Sequence, residues 1–359
     1  MPKTDHQRVA IFYDWLNQWG GAERVLLASL QAFPKADLYT IAHNPSQTPW
    51  LPKHYRIFSS IIDSLPKLPL FPLPYSPLFP LAVEQFDFSE YDIVISFTST
   101  VGHFLITPPS VKYFCYFFNI NRHVYRQHPF YLQPLAKFYR RLDTIAINRP
   151  DHLICDSYTV QNRFIDQYAK RPTVIYPGID MSLFHPLQKT SPGGYFLIVS
   201  RLVPYKKIDL AIHACHQSGL QLKIVGNGRQ FGHLSRLIKK LHSPNIELLG
   251  NVDHSELLGF YQHCRALLIP QVEDFGLTSL EAQACGRPVI AYRQGGQTET
   301  VIDGKTGLFF ERQTVESLKS ALRRFDSYRF NPKDCIENAN KFSEKAFVLN
   351  LTKFVQGHL

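Results

Sequence analysis

The chain has 359 residues, of which 45% are hydrophobic and 19% are charged, and its formal net charge is +10. That length is too great for one ordinary core, so two domains are expected, and the composition is that of a soluble globular protein. The positive charge favours anionic partners, but the chain has no nucleic-acid-binding motif and no basic tail, so nucleic acid is not an expected partner.

The first half of the chain alternates short apolar runs with helical patterns. A strand is predicted over 9–13, ending before the glycine pair Gly20 and Gly21, and an amphipathic helix is predicted over 22–33. The further predicted strands are 38–41, 93–96, 113–116, 152–155 and 174–176, and the predicted helices between them include 135–147 and 160–168. This alternation predicts a parallel sheet with helices on both faces.

A proline-rich apolar segment interrupts this alternation over 65–80. Its prolines exclude a regular helix, and its apolar side chains would form an exposed patch if nothing covered them. The segment is therefore either a loop that faces a membrane or an acceptor, or a well-packed extended loop.

A turn-rich stretch over 177–194 predicts a domain boundary, and a second alternation follows it. Its predicted strands are 196–200, 222–225, 247–249, 266–269, 288–291 and 308–310. The tail over 332–359 has a helical pattern. The predicted domains are 1–180, 181–335 and a C-terminal helical segment, 336–359. Two successive doubly wound parallel-sheet domains of the α/β class, with a cleft between them, are expected.

Two carboxylates, Glu273 and Glu281, stand eight positions apart after the predicted strand 266–269. The intervening Phe275, Gly276 and Leu277 mark a turn that opens a helix, and a helix N-terminus attracts phosphate. Ligands of open α/β sheets bind at the carboxyl ends of strands, so a carboxylate on this helix could hold a ribose by its hydroxyls.

Two cations flank the loop after the strand 196–200. Arg201 and Lys206 supply a planar fork and a point charge, the combination that suits a diphosphate, although either cation alone would be an ordinary basic surface residue. Gly226 ends the next predicted strand, where a tight turn near a nucleotide base is expected.

Together, these segments resemble the donor-site signatures of GT-B glycosyltransferases of family 4, which are retaining enzymes that use nucleotide sugars. The stretch from Asp14 to Arg24 is similar to the family's glycine-rich loop. The resemblance implies that Arg201 and Lys206 bind the donor diphosphate. It also implies that Glu281 holds the ribose and that Glu273 contacts the transferred sugar.

The same resemblance assigns further donor contacts to five residues: Gly20, Gly21, Phe275, Gly276 and Leu277. The sequence of the segment from Ser200 to Lys206 is most similar to that of the mannosyltransferase-like branch, and this resemblance implies GDP-mannose as donor. In the family, the end of the chain crosses back to pack on the first domain.

One departure concerns the first domain. Relatives carry a His near the transferred sugar, and Phe118 stands at that position here. A phenyl ring cannot hydrogen-bond a sugar hydroxyl, so His103, Arg122 or His123 is expected to take over that contact, or the donor or rate differs. Both histidines could equally be surface residues.

The expected function is transfer of a hexose from a nucleotide sugar to a glycan or lipid-linked glycan. The chain has no Asp-x-Asp motif, so neither a metal nor another cofactor is expected. The six cysteines are scattered, which fits a reducing cytoplasm, and the basic charge fits either association with an anionic membrane surface or a merely basic surface. The alternatives are a UDP-sugar-dependent transferase, a sugar epimerase or phosphorylase, and a non-catalytic protein that binds a sugar nucleotide or a partner.

Overall fold

The structure is a computed structural model, and it describes residues 7–67, 72–120, 133–187 and 193–359. The chain divides into two compact units: the first is Met1–Pro177 with Lys345–Leu359, and the second is Gly178–Glu344. Each unit is built around one parallel sheet, of seven strands in the first and six in the second. The predicted α/β class with two doubly wound domains is confirmed.

The sheet of the first unit has the strand order β3-β2-β1-β4-β5-β6-β7, and every pairing is parallel. Its strands are β1 (Val9–Tyr13), β2 (Asp37–Thr40), β3 (Ile57–Ser59), β4 (Ile93–Thr98), β5 (Lys112–Phe117), β6 (His152–Cys155) and β7 (Thr173–Val174). Strand β3 was not predicted from the sequence. That strand has three residues, lies at the edge of the sheet and is half-exposed, so it lacks an apolar run.

Among the described residues, five α-helices belong wholly or mostly to this unit. They are α1 (Gly21–Ala32), α2 (Phe79–Glu84), α3 (Gln133–Ala146), α4 (Tyr158–Tyr168) and α12 (Glu344–Gln356). The central strands β1, β4 and β5 are almost wholly buried, as apolar strands covered on both faces should be. The C-terminal helix joins this core, since Phe347 lies 6.0 Å from Tyr116 between ring centroids.

The sheet of the second unit has the order β10-β9-β8-β11-β12-β13, again with parallel pairing throughout. Its strands are β8 (Tyr195–Val199), β9 (Gln221–Val225), β10 (Ile246–Gly250), β11 (Leu267–Ile269), β12 (Val289–Tyr292) and β13 (Gly307–Phe310). Its helices are α5 (Ile208–Gln217), α6 (Phe231–Lys240), α7 (His254–His263), α8 (Leu277–Ala284), α9 (Gln297–Thr300), α10 (Val315–Phe325) and α11 (Pro332–Asn340). All six cysteines of the chain are free and buried.

Both predicted domain boundaries are displaced. Ile179 pairs with Ser343, and its N–H donates to the carbonyl of Phe342 at 2.9 Å, so the segment from 178 belongs to the second unit. The crossover back to the first unit begins at Lys345 rather than at 336. Helix α11 stays with the second unit because Asn338 Nδ2 donates to Gln283 Oε1 of α8 at 2.8 Å.

The later part of the proline-rich segment is helical and is not an extended loop. Within its described part, Leu73–Leu78 forms a 3-10 helix that leads directly into α2. This short helix needs few of the backbone N–H groups that proline lacks, so proline is compatible with it. Across the part of the chain that the structure describes, no helix combines the length and apolar character needed to cross a membrane.

Candidate active site

The two donor-site segments of the sequence lie on neighbouring strands of the second unit. Strand β8 pairs directly with β11, so the loops that leave their carboxyl ends lie side by side. The first loop carries exposed Arg201, whose Nη2 donates to Tyr205 Oη at 3.2 Å. It then forms a 3-10 helix, Pro204–Lys206, which turns the Lys206 side chain inward, where the residue is 9% exposed.

Lys206 and Glu273 form the central contact of this site. The Lys206 Nζ donates to Glu273 Oε1 at 2.6 Å and to Oε2 at 2.7 Å. The two side chains are only 11% and 18% exposed, so water screens this ion pair weakly. The predicted phosphate-binding cation and the predicted sugar-binding carboxylate are therefore joined to each other, although they are 67 residues apart in the chain.

Two glutamines that the sequence analysis missed hold Glu273 in place. Gln271 is 2% exposed and its Nε2 donates to Glu273 Oε1, while Gln297 accepts the backbone N–H of Glu273 at 3.1 Å. Gln297 Nε2 also donates to the backbone carbonyl of Gln271 at 2.8 Å. Neither amide belongs to a recognisable local motif, so only the folded contacts identify them.

The turn after Glu273 places a helix N-terminus at the same edge. Gly276, with φ +96°, precedes Leu277, the first residue of α8, and Phe275 is buried against Phe342 with ring centroids 5.8 Å apart. Glu281 lies one turn further along α8 and is 3% exposed. Its Oε2 accepts a hydrogen bond from Tyr261 Oη at 2.6 Å, so the predicted ribose-binding carboxylate is oriented by a tyrosine of α7.

Gly226 forms the turn after β9 that closes this edge. Its φ is +130°, its N–H donates to the carbonyl of Gly250 at 2.7 Å, and a Cβ added here would lie 2.0 Å from the carbonyl oxygen of Ser200. The backbone of this turn therefore packs directly against the residue that precedes Arg201. Only glycine fits at this position.

Gly226→Ala is expected to lower the free energy of unfolding by about 3 kcal/mol or more, because the clash is with backbone and the φ is unfavourable. Gly219→Ala is the matched control: its φ is +66°, but nothing lies within 4 Å of the added Cβ. That control should lose about 1 to 2 kcal/mol, the conformational cost alone. Urea unfolding of both variants measures the difference, and equal losses would show that the close approach to Ser200 contributes nothing.

The glycine-rich loop lies in the first unit. Gly20 precedes α1 in an extended conformation, and Gly21 is the first residue of that helix. Below them, buried Glu23 accepts hydrogen bonds from Tyr13 Oη at 2.7 Å and from Gln18 Nε2 at 3.0 Å. Burial, together with the charge of Glu23, raises the pKa of Tyr13 well above its usual range. Tyr13 therefore stays a hydrogen-bond donor, and it fixes the loop to the sheet.

A second carboxylate anchors the same loop. Asp14 accepts hydrogen bonds from Thr98 Oγ1 at 2.6 Å and from the backbone N–H of Ser99 at 2.7 Å. Burial raises the pKa of Asp14, and these hydrogen bonds oppose that rise. The loops after β1 and β4 are thus tied together beneath the glycine pair.

The structure shows the positions of two of the first-unit residues considered for a sugar contact, Phe118 and His103. Phe118 is half-buried and its ring packs 5.5 Å from that of Tyr116 and 6.5 Å from that of Tyr13. His103 is 1% exposed and its Nε2 pairs with Asp143 at 2.9 Å, which places the ring in the interior and argues against the predicted sugar contact. Arg122 and His123 lie outside the described residues.

Two family models match the chain in sequence. One, described as Glycosyltransferase Family 4, matches residues 19–183, and the other, described as Glycosyl transferases group 1, matches residues 183–342. An uncharacterized glycosyltransferase of Methanocaldococcus jannaschii is 31% identical over 201 residues, or 56% of each chain. A Corynebacterium glutamicum protein is 33% identical over 192 residues, 46% of this chain and 50% of its own; it is named a GDP-mannose-dependent monoacylated alpha-(1-6)-phosphatidylinositol monomannoside mannosyltransferase.

Solved structures share the whole fold. Sucrose-phosphate synthase from Thermosynechococcus elongatus superposes with a TM-score of 0.78 at 19% identity, covering 98% of this chain and 99% of that one. HepE of Anabaena, solved with UDP and glucose, gives a TM-score of 0.74 at 19% identity with the same coverage. The matches to the curated relatives, by contrast, span only about half of those proteins' own length.

The two parallel-sheet units and the donor-site segments define a GT-B glycosyltransferase fold. The two family matches together extend from residue 19 to residue 342. The chain belongs to the GT-B glycosyltransferases of family 4.

Proposed function

We propose that the protein moves a hexose from a nucleoside-diphosphate sugar to a hydroxyl of a glycan or lipid-linked glycan, with retention of the anomeric configuration. The observation that carries this proposal is the buried Lys206–Glu273 pair at the carboxyl ends of two adjacent strands. It offers a cation for phosphate and a carboxylate for sugar hydroxyls within one contact, as a nucleotide sugar requires.

In the proposed reaction, the bond between the anomeric carbon and the diphosphate oxygen breaks. The acceptor oxygen forms its bond on the same face, and its proton passes to the departing diphosphate. Negative charge grows on the leaving group, so fixed cations and helix N–H groups aimed at it lower the barrier. Arg201, Lys206 and the N-terminus of α8 would supply that stabilisation, so the transfer is proposed to need no metal.

GDP-mannose is the proposed donor, and mannose is the sugar that is transferred. The name of the Corynebacterium glutamicum relative supports it, as does the similarity of the segment from Ser200 to Lys206 to mannosyltransferases. A UDP-sugar is the alternative, because HepE of Anabaena, which shares the fold, was solved with UDP-glucose.

Thermal unfolding with a panel of sugar nucleotides in EDTA tests both the donor and the independence from metal. A ligand at 100 times its dissociation constant should stabilise the fold by about 2.7 kcal/mol. We expect stabilisation by GDP-mannose and not by UDP-glucose or UDP-N-acetylglucosamine. Stabilisation that appears only when Mg²⁺ replaces EDTA would contradict metal independence. Stabilisation by a UDP-sugar alone would show that the donor is a UDP-sugar and not GDP-mannose.

A non-catalytic sugar-nucleotide-binding protein is the second candidate, and Phe118 is the observation that favours it. A phenyl ring packed on Tyr13 and Tyr116 offers no hydrogen bond to a sugar. The two candidates separate when [14C]-labelled GDP-mannose is incubated with the protein and a lipid extract. Binding without any labelled product or released sugar would favour the non-catalytic candidate.

We also propose that the protein associates with an anionic membrane surface through α2 and α3. Tyr139 of α3 donates to the carbonyl of Pro77 in the 3-10 helix that leads into α2, so the two elements are adjacent. Four apolar side chains of the 3-10 helix, α2 and α3 are between 44% and 68% exposed: Leu78, Leu81, Phe138 and Ile145. Lys137 and Arg141 are also exposed on α3. Apolar side chains flanked by cations suit the lipid headgroup region.

Replacing Lys137 and Arg141 together with Gln is expected to weaken binding to phosphatidylglycerol vesicles roughly thirtyfold, since each cation near an anionic surface contributes about 1 kcal/mol. The matched control replaces Lys239 and Lys240, which are exposed on α6, with the same change in charge. Vesicle co-sedimentation measures both. If the two double variants lose binding equally, net charge rather than this surface governs association.

A further inference from the structure

Two of the three tryptophans in the chain meet at the carboxyl end of the first sheet. Trp19 lies on the loop between β1 and α1, directly before Gly20, and Trp50 follows the short 3-10 helix after β2. Their ring centroids are 5.0 Å apart with planes inclined at 45°. Trp19 is nevertheless 48% exposed, although burying an aromatic ring of that size would be strongly favourable.

The pair is held in place by several contacts that still leave Trp19 about half exposed. Trp50 Nε1 donates to the carbonyl of Gln18 at 3.1 Å, and the Arg24 guanidinium lies 5.8 Å from the Trp19 ring centroid. The two loops are also joined through their backbones, because the N–H of Asn44 donates to the carbonyl of Leu16 at 2.7 Å. Rings fixed before a ligand arrives lose little freedom on binding, which favours affinity.

The surroundings of Trp19 indicate what kind of ligand fits. Its neighbours in the chain, Gln18 and Gly20, are polar or small, and Gln18 is exposed. Ser46 and Gln47, which shortly precede Trp50, are also polar and exposed. An aromatic face beside hydrogen-bonding groups suits a pyranose, whose C–H face is apolar and whose hydroxyls point outward. A bilayer would instead favour a wider apolar surface with several cations, as on α2 and α3.

We infer that Trp19, supported by Trp50, is a binding subsite for a sugar ring of the acceptor. This inference rests on the proposed function, since the glycine pair next to Trp19 belongs to the family's site loop. Ligands of parallel sheets bind at the carboxyl ends of strands, and the loops after β1 and β2 carry the pair. The Trp19 ring stacks on the apolar face of the sugar, and Trp50 sets the angle of that ring.

Intrinsic fluorescence of the full chain tests the subsite. Trp15→Phe leaves the Trp19–Trp50 pair as the only tryptophan emitters, since the chain has three tryptophans. Methyl α-mannopyranoside, methyl α-glucopyranoside and methyl β-galactopyranoside are the probes. At least one should change the emission saturably, with a dissociation constant of about 1 to 10 mM. Adding Trp19→Ala to this background should weaken that binding at least tenfold, whereas Trp19→Phe should retain part of it.

Three outcomes would overturn the inference: no saturable change with any of the three glycosides, glycoside binding that survives Trp19→Ala, or a blue shift produced by phosphatidylglycerol vesicles and not by sugars. Circular dichroism establishes that the variants are folded. Thermal stabilisation by GDP-mannose, measured on the same variants, should not change with Trp19→Ala. Glycoside binding without any nucleotide binding would leave the subsite standing while the transferase proposal fails, and the converse pattern would remove only the subsite.

Discussion

Lys206→Gln is expected to lower the rate of sugar transfer about 10²- to 10³-fold, the loss typical when one fixed charge or donor is removed from a leaving group. The Nζ of Lys206 is held by both carboxylate oxygens of Glu273, so it is already positioned before the donor binds. Glutamine keeps much of the length of the side chain but cannot supply a positive charge. The variant should also bind nucleoside diphosphate more weakly than the unmodified protein.

Lys207→Gln is the matched control for this prediction. It makes the same change in net charge at the next residue, whose side chain is exposed. We expect transfer rates close to those of the unmodified protein, since an exposed cation outside the site contributes little. A steady-state transfer assay with saturating GDP-mannose compares the two. Equal losses would mean that general charge, and not the position of Lys206, supports the reaction.

Glu273→Gln is expected to separate binding from transfer. The carboxylate neutralises Lys206 through their ion pair, and removing its charge frees the ammonium to bind phosphate. Binding of GDP alone should therefore tighten by about tenfold or more, because a hydrogen bond to a charged group contributes about 1.5 to 3 kcal/mol. Transfer should fall about 10²-fold or more, because the amide replaces an acceptor that the sugar hydroxyls need.

Isothermal titration with GDP and an assay of transfer measure the two effects on the same preparation. Gln271→Leu serves as a comparison, since it removes a donor to Glu273 while leaving the carboxylate charged. That variant should reduce transfer and leave GDP binding nearly unchanged. If Glu273→Gln loses GDP binding in parallel with transfer, then Glu273 maintains the shape of the site and does not contact the sugar.

The predicted strands agree with the structure where an apolar run is long or buried on both faces. Strands β1, β4, β5 and β8 are of this kind, and their apolar runs mark them directly. The edge strand β3 was not predicted, because a short half-exposed strand carries no such apolar run. The domain boundaries were displaced because pairing of Ile179 with Ser343, distant in sequence, decides which unit the connecting segment joins.

The site shows the same division between local and non-local information. Arg201, Lys206, Glu273 and Glu281 follow strands and stand beside glycine turns, so their place at the edge of the sheet could be predicted. The contact between Lys206 and Glu273 depends on the pairing of β8 with β11, and no local sequence pattern predicts that pairing. From the sequence, His103 could be either a sugar contact or an ordinary surface residue. The structure buries it instead, where it pairs with Asp143, 40 residues away in the chain.

Local patterns in the sequence are sufficient to predict the class of fold, the two-unit organisation and the loops that carry the candidate site. These predictions rest on properties of neighbouring residues, namely apolar periodicity, glycine turns and the types of charged residue. Such properties can be recognised without knowledge of the fold. The side-chain partners depend on the folded chain: Gln271 and Gln297 contact Glu273, Tyr261 donates to Glu281, and Trp50 packs against Trp19. These contacts join residues from different strands and loops, and strand order and side-chain packing bring them together only after the sheet has formed.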